Sequence, residues 1–201
     1  MLADAPSPIQ SLGSMVSRSR RPLSPAFIAP MLALTLAVAG CGGPQPNTRD
    51  VLVISVGDQK LALYQDQALV RVYPVSTSRF GVGNTADSNR TPLGWMEVAM
   101  RVGDGAPTGA VFRSREWTGE VVGPRGGDED LVLTRLLWLR GSEPHNRNTF
   151  RRYIYIHGTN QEHRMDSPSS QGCVRMTSRD ILDLFDRVDV GARVHITARS
   201  L

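Results

Sequence analysis

Beyond residue 50 the apolar positions recur mostly at period two and only once at the period of a helix. "VLVISV" (51–56) and "KLALYQ" (60–65) flank a Gly57-Asp58 turn, and "ALVRVYPVST" (68–77) follows a second short turn, which predicts a β-meander. Further strands are expected at "GWMEVAMRV" (94–102), "LVLTRLLWL" (131–139), "RYIYIH" (152–157) and "ARVHITA" (192–198). The stretch 131–139 is apolar on both alternations, as a strand covered on both faces requires. In "TSRDILDLFDRV" (177–188) the period lengthens. Thr177 and Asp180 have capping-box spacing, Ile181, Leu184, Phe185 and Val188 share a face, and Gly191 follows the end, so one helix is expected. These elements predict a mainly β fold, a sandwich or barrel with one helix. Strands and helices do not alternate, which excludes a parallel α/β winding.

The pattern before residue 50 is of another kind. "RSRRPLSPAF" leads into "IAPMLALTLAVAGCGG", a basic segment and then about a dozen apolar residues, too short for a stable membrane span and suited to export. The run ends in Val38-Ala39-Gly40-Cys41, which resembles a bacterial lipobox. That resemblance implies cleavage before Cys41 and a lipid on Cys41; an ordinary signal peptide with a chance cysteine is the alternative. Gly42 stands where lipoproteins kept at the inner membrane have Asp, so the expected location is the periplasmic face of the outer membrane. The organisation expected is a signal peptide over 1–40 (with Met15 a candidate true start), a Gly- and Pro-rich tether over 41–49, and one domain over 50–201.

Charge narrows the choice of partner. The net charge of the 201-residue chain is +4, but from Gly42 onward 20 Lys and Arg face 18 Asp and Glu. A near-neutral domain lacks the concentrated basic face that nucleic acid demands, so no nucleic-acid partner is expected.

With Cys41 lipidated, Cys173 has no partner in the chain. An unpaired thiol in an oxidising compartment needs a reason, either burial as a small hydrophobe or use as a nucleophile. Period two in "YIYIHGT" puts Ile154 and Ile156 on one face and Tyr153, Tyr155 and His157 on the other, with His157 at the strand end. Cys173 follows sixteen residues later, after a loop and just before the helix. Gly172 before it allows close backbone approach and lets successive N–H groups face a developing oxyanion. An imidazole at a strand end could then draw the proton from a thiol at a loop end. His145 and His163 fall in loops, and His195 is expected at the surface. A zinc site from His157, His163 and Cys173 matches no common spacing, so no metal or other cofactor is expected. Trp95, Trp117 and Trp138 read as packing residues, although Trp117 in a Gly-rich loop could line a cleft.

These residues resemble the L,D-transpeptidases with a YkuD-type catalytic domain. The motif pairs a histidine and glycine with a later Ser-x-Gly-Cys-Val-Arg, here His157-Gly158-Thr159 and Ser170-Gln171-Gly172-Cys173-Val174-Arg175-Met176. "YPVSTSRFGVGN" (73–84), "TPLG" (91–94) and "LTRLLWLRG" (133–141) are similar to family sequence in the same order, so the likeness covers about residues 50 to 198. Many members have histidine where this chain has Gln171. The resemblance implies the family's catalytic-domain fold and a two-step acyl transfer on peptidoglycan stem peptides as donor and acceptor. Cys173 would attack the third residue of a tetrapeptide, usually diaminopimelate, with release of D-alanine. An amine would then take the acyl group in a 3→3 cross-link or a protein attachment. It implies His157 as base and then acid, the Gly158 carbonyl as orienter of its ring, and Gly172 and Cys173 N–H groups as the oxyanion hole. Arg175 would stabilise the loop or bind a stem carboxylate, and Ser170 and Thr159 would shape the site. It also implies acylation of Cys173 by a carbapenem. Transfer to water, as in an L,D-carboxypeptidase, and a silent wall-binding lipoprotein are the competing readings. The lipid on Cys41 is the expected link to the membrane.

Overall fold

The computed structural model describes residues 49–125 and 129–201; the signal segment, Cys41 and most of the tether lie outside the described residues. The meander forms as expected: β1 (Asp50–Ser55), β2 (Lys60–Gln65) and β3 (Ala68–Pro74) pair antiparallel in sequence order. β4 (Gly94–Val102) and β7 (Val132–Gly141) pair with each other, and β10 (Arg193–Thr197) sits between β1 and β4, parallel to the first and antiparallel to the second. Between β4 and β7 lies a hairpin of β5 (Ala110–Arg113) and β6 (Glu116–Val121). β8 (Tyr155–Gly158) and the three-residue β9 (Val174–Met176) complete the sheet, whose main path runs β3-β2-β1-β10-β4-β7-β5-β6. Among the described residues the fold is mainly β with one α-helix, as expected, and the sheet does not close on itself.

The helix α1 (Ser178–Arg187) starts where the capping spacing placed it. Thr177 Oγ1 accepts the Asp180 N–H at 3.1 Å, satisfying one of the donors a helix start leaves open. Ile181, Leu184 and Phe185 are buried by the helix against one face of the sheet, with Leu52, Ile54, Val98, Leu137, Ile156, Val174 and Val194 in the same core. Burying each such side chain contributes about 1.5–3 kcal/mol before chain entropy is charged against it. A smaller cluster of Ala110, Phe112, Leu136, Trp138 and Tyr155 lies apart from it, and Cys173 packs against that second cluster.

The centre of the sheet branches at β7. Leu133, Leu136, Leu137 and Trp138 pair with Gly158, His157, Ile156 and Tyr155 of β8, and Leu133 and Val132 pair on their other side with Val111 and Phe112 of β5. Between Leu133 and Leu136 the register with β8 shifts, and Thr134 takes a φ of 69°, the left-handed backbone of a bulge. β4 lies along the edge of β7 opposite β8, so most of this strand is buried, as apolar residues on both alternations foretold.

Several boundaries differ from expectation. The strand expected to run to residue 77 stops at Pro74, after which Val75 N–H donates to the Gln59 carbonyl at 2.9 Å and Ser76 and Ser78 make single bridges to Arg175 and Ser170. The strand expected from residue 152 begins at Tyr155. Phe150–Arg152 form a 3-10 turn and Tyr153 is left-handed at φ 57°, so Tyr153 leaves the alternation and is exposed. The hairpin β5–β6 falls in a stretch with no strand expectation, because every residue of β6 is exposed and shows no apolar alternation. His195 is half-buried rather than at the surface, with its ring stacked 4.5 Å from Trp95.

Candidate active site

β8 and β9 lie side by side and parallel, with Ile156 opposite Val174 and His157 opposite Arg175. Ile156 and Val174 point into the main core, so period two sends Tyr155 and His157 to the other face, together with Cys173 and Arg175. The pairing thus brings the histidine and the cysteine motif onto adjacent strand ends.

His157 is 3% exposed, and its Nδ1 lies 2.7 Å from the Gly158 carbonyl oxygen. A carbonyl only accepts, so Nδ1 carries the proton and Nε2 presents a lone pair. Burial holds the imidazole below its usual pKa; the Asp130 carboxylate and the Gly158 carbonyl oppose that, and Arg175 reinforces it. Gly158 is needed here as a glycine. A Cβ on it would stand 2.7 Å from the Leu133 carbonyl oxygen of β7 and 3.2 Å from Ile181 Cγ2.

Cys173 is half-buried. Its thiol donates to the Tyr153 carbonyl at 3.4 Å and accepts the Tyr155 N–H at 3.4 Å. Burial pushes the thiol up to about 11; the Tyr155 N–H, Arg175 and Arg152 pull the other way, and Asp130 adds to the rise. Among the hydrogen bonds of the described residues, none joins the thiol to the His157 ring. Gly172 has a φ of 121°, accessible to glycine and strained for any residue with a Cβ. That conformation wraps the loop on Ser170, whose Oγ donates to the Cys173 carbonyl at 2.6 Å and accepts the Gly172 N–H at 3.2 Å. The Gly172 N–H expected in an oxyanion hole therefore already has an acceptor. Gln171, where a second imidazole was absent, is exposed.

Arg175 takes the loop-bracing role of the two that the sequence left open. Its side chain is fully buried, so it does not present a guanidinium to a stem carboxylate. Instead Nη1 meets Asp130 Oδ2 at 3.1 Å and Gln161 Oε1 at 3.0 Å, and Nη2 donates to Ser76 Oγ at 2.9 Å and to Ser169 Oγ. Asp130 also accepts from Thr159 Oγ1 at 3.0 Å, tying together the residues just past both strand ends. Asp130 and Gln161 carried no signal in the sequence, since their loops show no periodicity and their value lies in a partner many residues away. Arg152 was likewise missed: it donates to the carbonyls of Gly83 at 3.1 Å and Arg90 at 2.5 Å and so fixes the loop beside Gly172. Trp138 packs beneath the site as expected, 3.8 Å from Phe150, whereas Trp117 is largely exposed on β6. Among the described residues no three His, Cys, Asp or Glu side chains converge to hold a metal ion.

A histidine in its Nδ1-protonated form beside a cysteine, with a braced loop and tight glycines, can carry out nucleophilic acyl chemistry. Comparison with known proteins points the same way. Residues 49–196 match the model of the YkuD family, the L,D-transpeptidase catalytic domain. The chain is 30% identical over 162 residues to ErfK/SrfK of Salmonella typhimurium, a probable L,D-transpeptidase by name, covering 77% of this chain and 46% of that one. It is 41% identical over 146 residues to YqjB of Bacillus subtilis, covering 73% of this chain and 70% of that one. The chain therefore spans about half the length of relatives such as ErfK/SrfK. Among solved structures, an L,D-transpeptidase from Mycobacterium smegmatis superposes with a TM-score of 0.50 at 15% identity, over 75% of this chain and 59% of that one, a likeness of fold.

Proposed function

Because the chain belongs to the family of YkuD-type L,D-transpeptidase catalytic domains, we propose that it transfers peptidoglycan stem peptides through a thioester on Cys173. The observation that carries this reading is the His157–Gly158 contact of 2.7 Å, which leaves Nε2 as a base on the face that Cys173 shares. The thiol first exchanges the Tyr153 carbonyl for that nitrogen. His157 Nε2 takes the thiol proton, and Sγ attacks the carbonyl of the third residue of a stem tetrapeptide. The Tyr155 N–H, already aimed at Sγ, stabilises the thiolate, and the Cys173 N–H is the oxyanion donor. As the tetrahedral species collapses, His157 returns the proton to the departing D-alanine amine and the thioester remains. An amine of a second stem then attacks and loses its proton to His157. The thiol leaves with that proton, and a 3→3 bond is made. One acyl bond is exchanged for another, so the step needs no external energy source.

Mass spectrometry of the domain from Gly42 onward with a disaccharide-tetrapeptide tests this. The expected products are a thioester on Cys173 and dimers lacking one D-alanine, both abolished in Cys173→Ala and His157→Ala. Monomeric tripeptide alone would replace transfer to an amine with hydrolysis. Full activity in either variant would overturn the mechanism. On the same reading a carbapenem adds its own mass to Cys173 and to nothing in Cys173→Ala. A lipid on Cys41 brings the domain to the cell envelope, which labelling with a radioactive fatty acid before and after Cys41→Ala tests.

A further inference from the structure

The hairpin β5–β6 turns through Ser114 and Arg115, whose φ angles of 50° and 70° are those of a tight two-residue hairpin turn. This turn sets Arg115 over the aromatic cluster against which Cys173 packs. The Arg115 guanidinium carbon lies 4.7 Å from the Trp138 ring centroid and 5.3 Å from that of Tyr153. The Tyr155 side chain is close enough to raise its pKa. Tyr153 and Tyr155 are the residues whose backbone holds the thiol. Arg115 is thus one ring away from the nucleophile.

Its circumstances differ from those of the other two arginines around the site. Both terminal nitrogens of Arg175 are engaged by Asp130, Gln161 and two serines, and Arg152 donates to the carbonyls of Gly83 and Arg90. Arg115 is half-exposed, and among the described residues no carboxylate stands within ion-pair distance of it. A guanidinium held over aromatic rings keeps its N–H donors for a ligand, and their fork matches a carboxylate with two parallel hydrogen bonds.

Position decides which carboxylate. Tyr153 precedes β8, Tyr155 opens it and His157 lies near its end, and Sγ sits at the tyrosine end. Both amines of the reaction, the one that leaves and the one that arrives, must meet His157. The acyl group, which stays on sulfur throughout, is left with the other side, under Arg115. We propose that Arg115 on its Trp138–Tyr153–Tyr155 platform is a subsite for a free carboxylate carried by the acyl donor beside the carbonyl attacked. The donor it selects is a diamino acid stem that retains its second carboxylate, in preference to its amide or to lysine. This rests on the stem-peptide reading above.

Calorimetric titration of the full chain carrying Cys173→Ala separates the two ideas. Three tetrapeptides are compared, with the side-chain carboxylate of the third residue free, amidated or absent (lysine). The free acid is expected to bind about tenfold more tightly than the other two, a difference of about 1.4 kcal/mol. Adding Arg115→Gln should erase that preference without changing the affinity of the amide, and Arg115→Lys should restore part of it. Equal affinities in the starting protein, or an equal loss for all three peptides in Arg115→Gln, would overturn the subsite and leave the stem-peptide reading standing. No binding of any peptide would overturn both. In the active enzyme, Arg115→Gln should slow formation of the thioester; if it slows only transfer to the amine, the carboxylate read is the acceptor's and the proposal fails.

Discussion

Burial pushes the Cys173 thiol up to about 11 and pulls the His157 ring below its usual range, so both groups are neutral at pH 7. The resting site is a thiol and an imidazole rather than a thiolate and an imidazolium. Alkylation by iodoacetamide should report this directly. The rate of Cys173 modification is expected to climb about tenfold per pH unit between 7 and 10 with no plateau, because each unit frees tenfold more thiolate. A plateau reached near neutrality would instead reveal a preformed ion pair. That His157 and Cys173 come to adjacent strands on one face was legible in the sequence, because glycine, histidine and cysteine at these spacings point to close backbone approach. The Gly158 carbonyl, implied by resemblance alone, is where it was expected. The role of Arg175 was legible only in part: its two terminal nitrogens are held by Asp130, Gln161, Ser76 and Ser169, and contacts between three separate loops leave no trace in any one of them.

Strands β8 and β9 are short, and their placement depends on a close approach to β7. The Gly158 Cβ clash with the Leu133 carbonyl cannot be relieved by a rotamer, since the obstructing atom is backbone. Gly158→Ala should therefore move the end of β8 and destabilise the domain by roughly 1–3 kcal/mol, the range for overpacking. Urea denaturation checks it; an unchanged midpoint together with full thioester formation would show that β7 yields freely. The same elements explain which parts of the fold could be read in advance. β2 and β4 match their expected bounds to the residue, because one face of each is apolar and the other is not. β9 has three residues, all buried, and β6 has none buried, so neither shows the alternation by which a strand announces itself. Tyr153 fails for a different reason. Its left-handed backbone is imposed by the turn before it, and nothing in "RRYIYIH" separates that tyrosine from the next.

For the domain as a whole, the two neutral groups set limits on stability. His157 has a folded pKa below its unfolded value of 6.5, so the unfolded chain takes up more protons as pH falls past 6.5 and stability is lost there. Cys173 has a folded pKa above its unfolded value of 9.0, so stability is lost as pH rises through 9 toward 11. Melting temperature is expected to be flat between about 6.5 and 9 and to fall on either side. His157→Asn should flatten the acid arm down to about pH 5, and Cys173→Ala the alkaline arm up to about pH 10. An alkaline arm that survives in Cys173→Ala would place the responsible group elsewhere.

The branching of β7 reaches further than packing. Among the described residues the hairpin β5–β6 is paired to the rest of the sheet through Val111 with Leu133 and Phe112 with Val132, and it forms the last ribbon of the main path. β8 meets the same Leu133 through Gly158, but its histidine pairs with Leu136, past the bulge at Thr134. A lineage can lengthen, shorten or recharge the hairpin without touching the ladder that positions the base. Selection on what the enzyme accepts and selection on how it reacts can then act on separate stretches of inheritance.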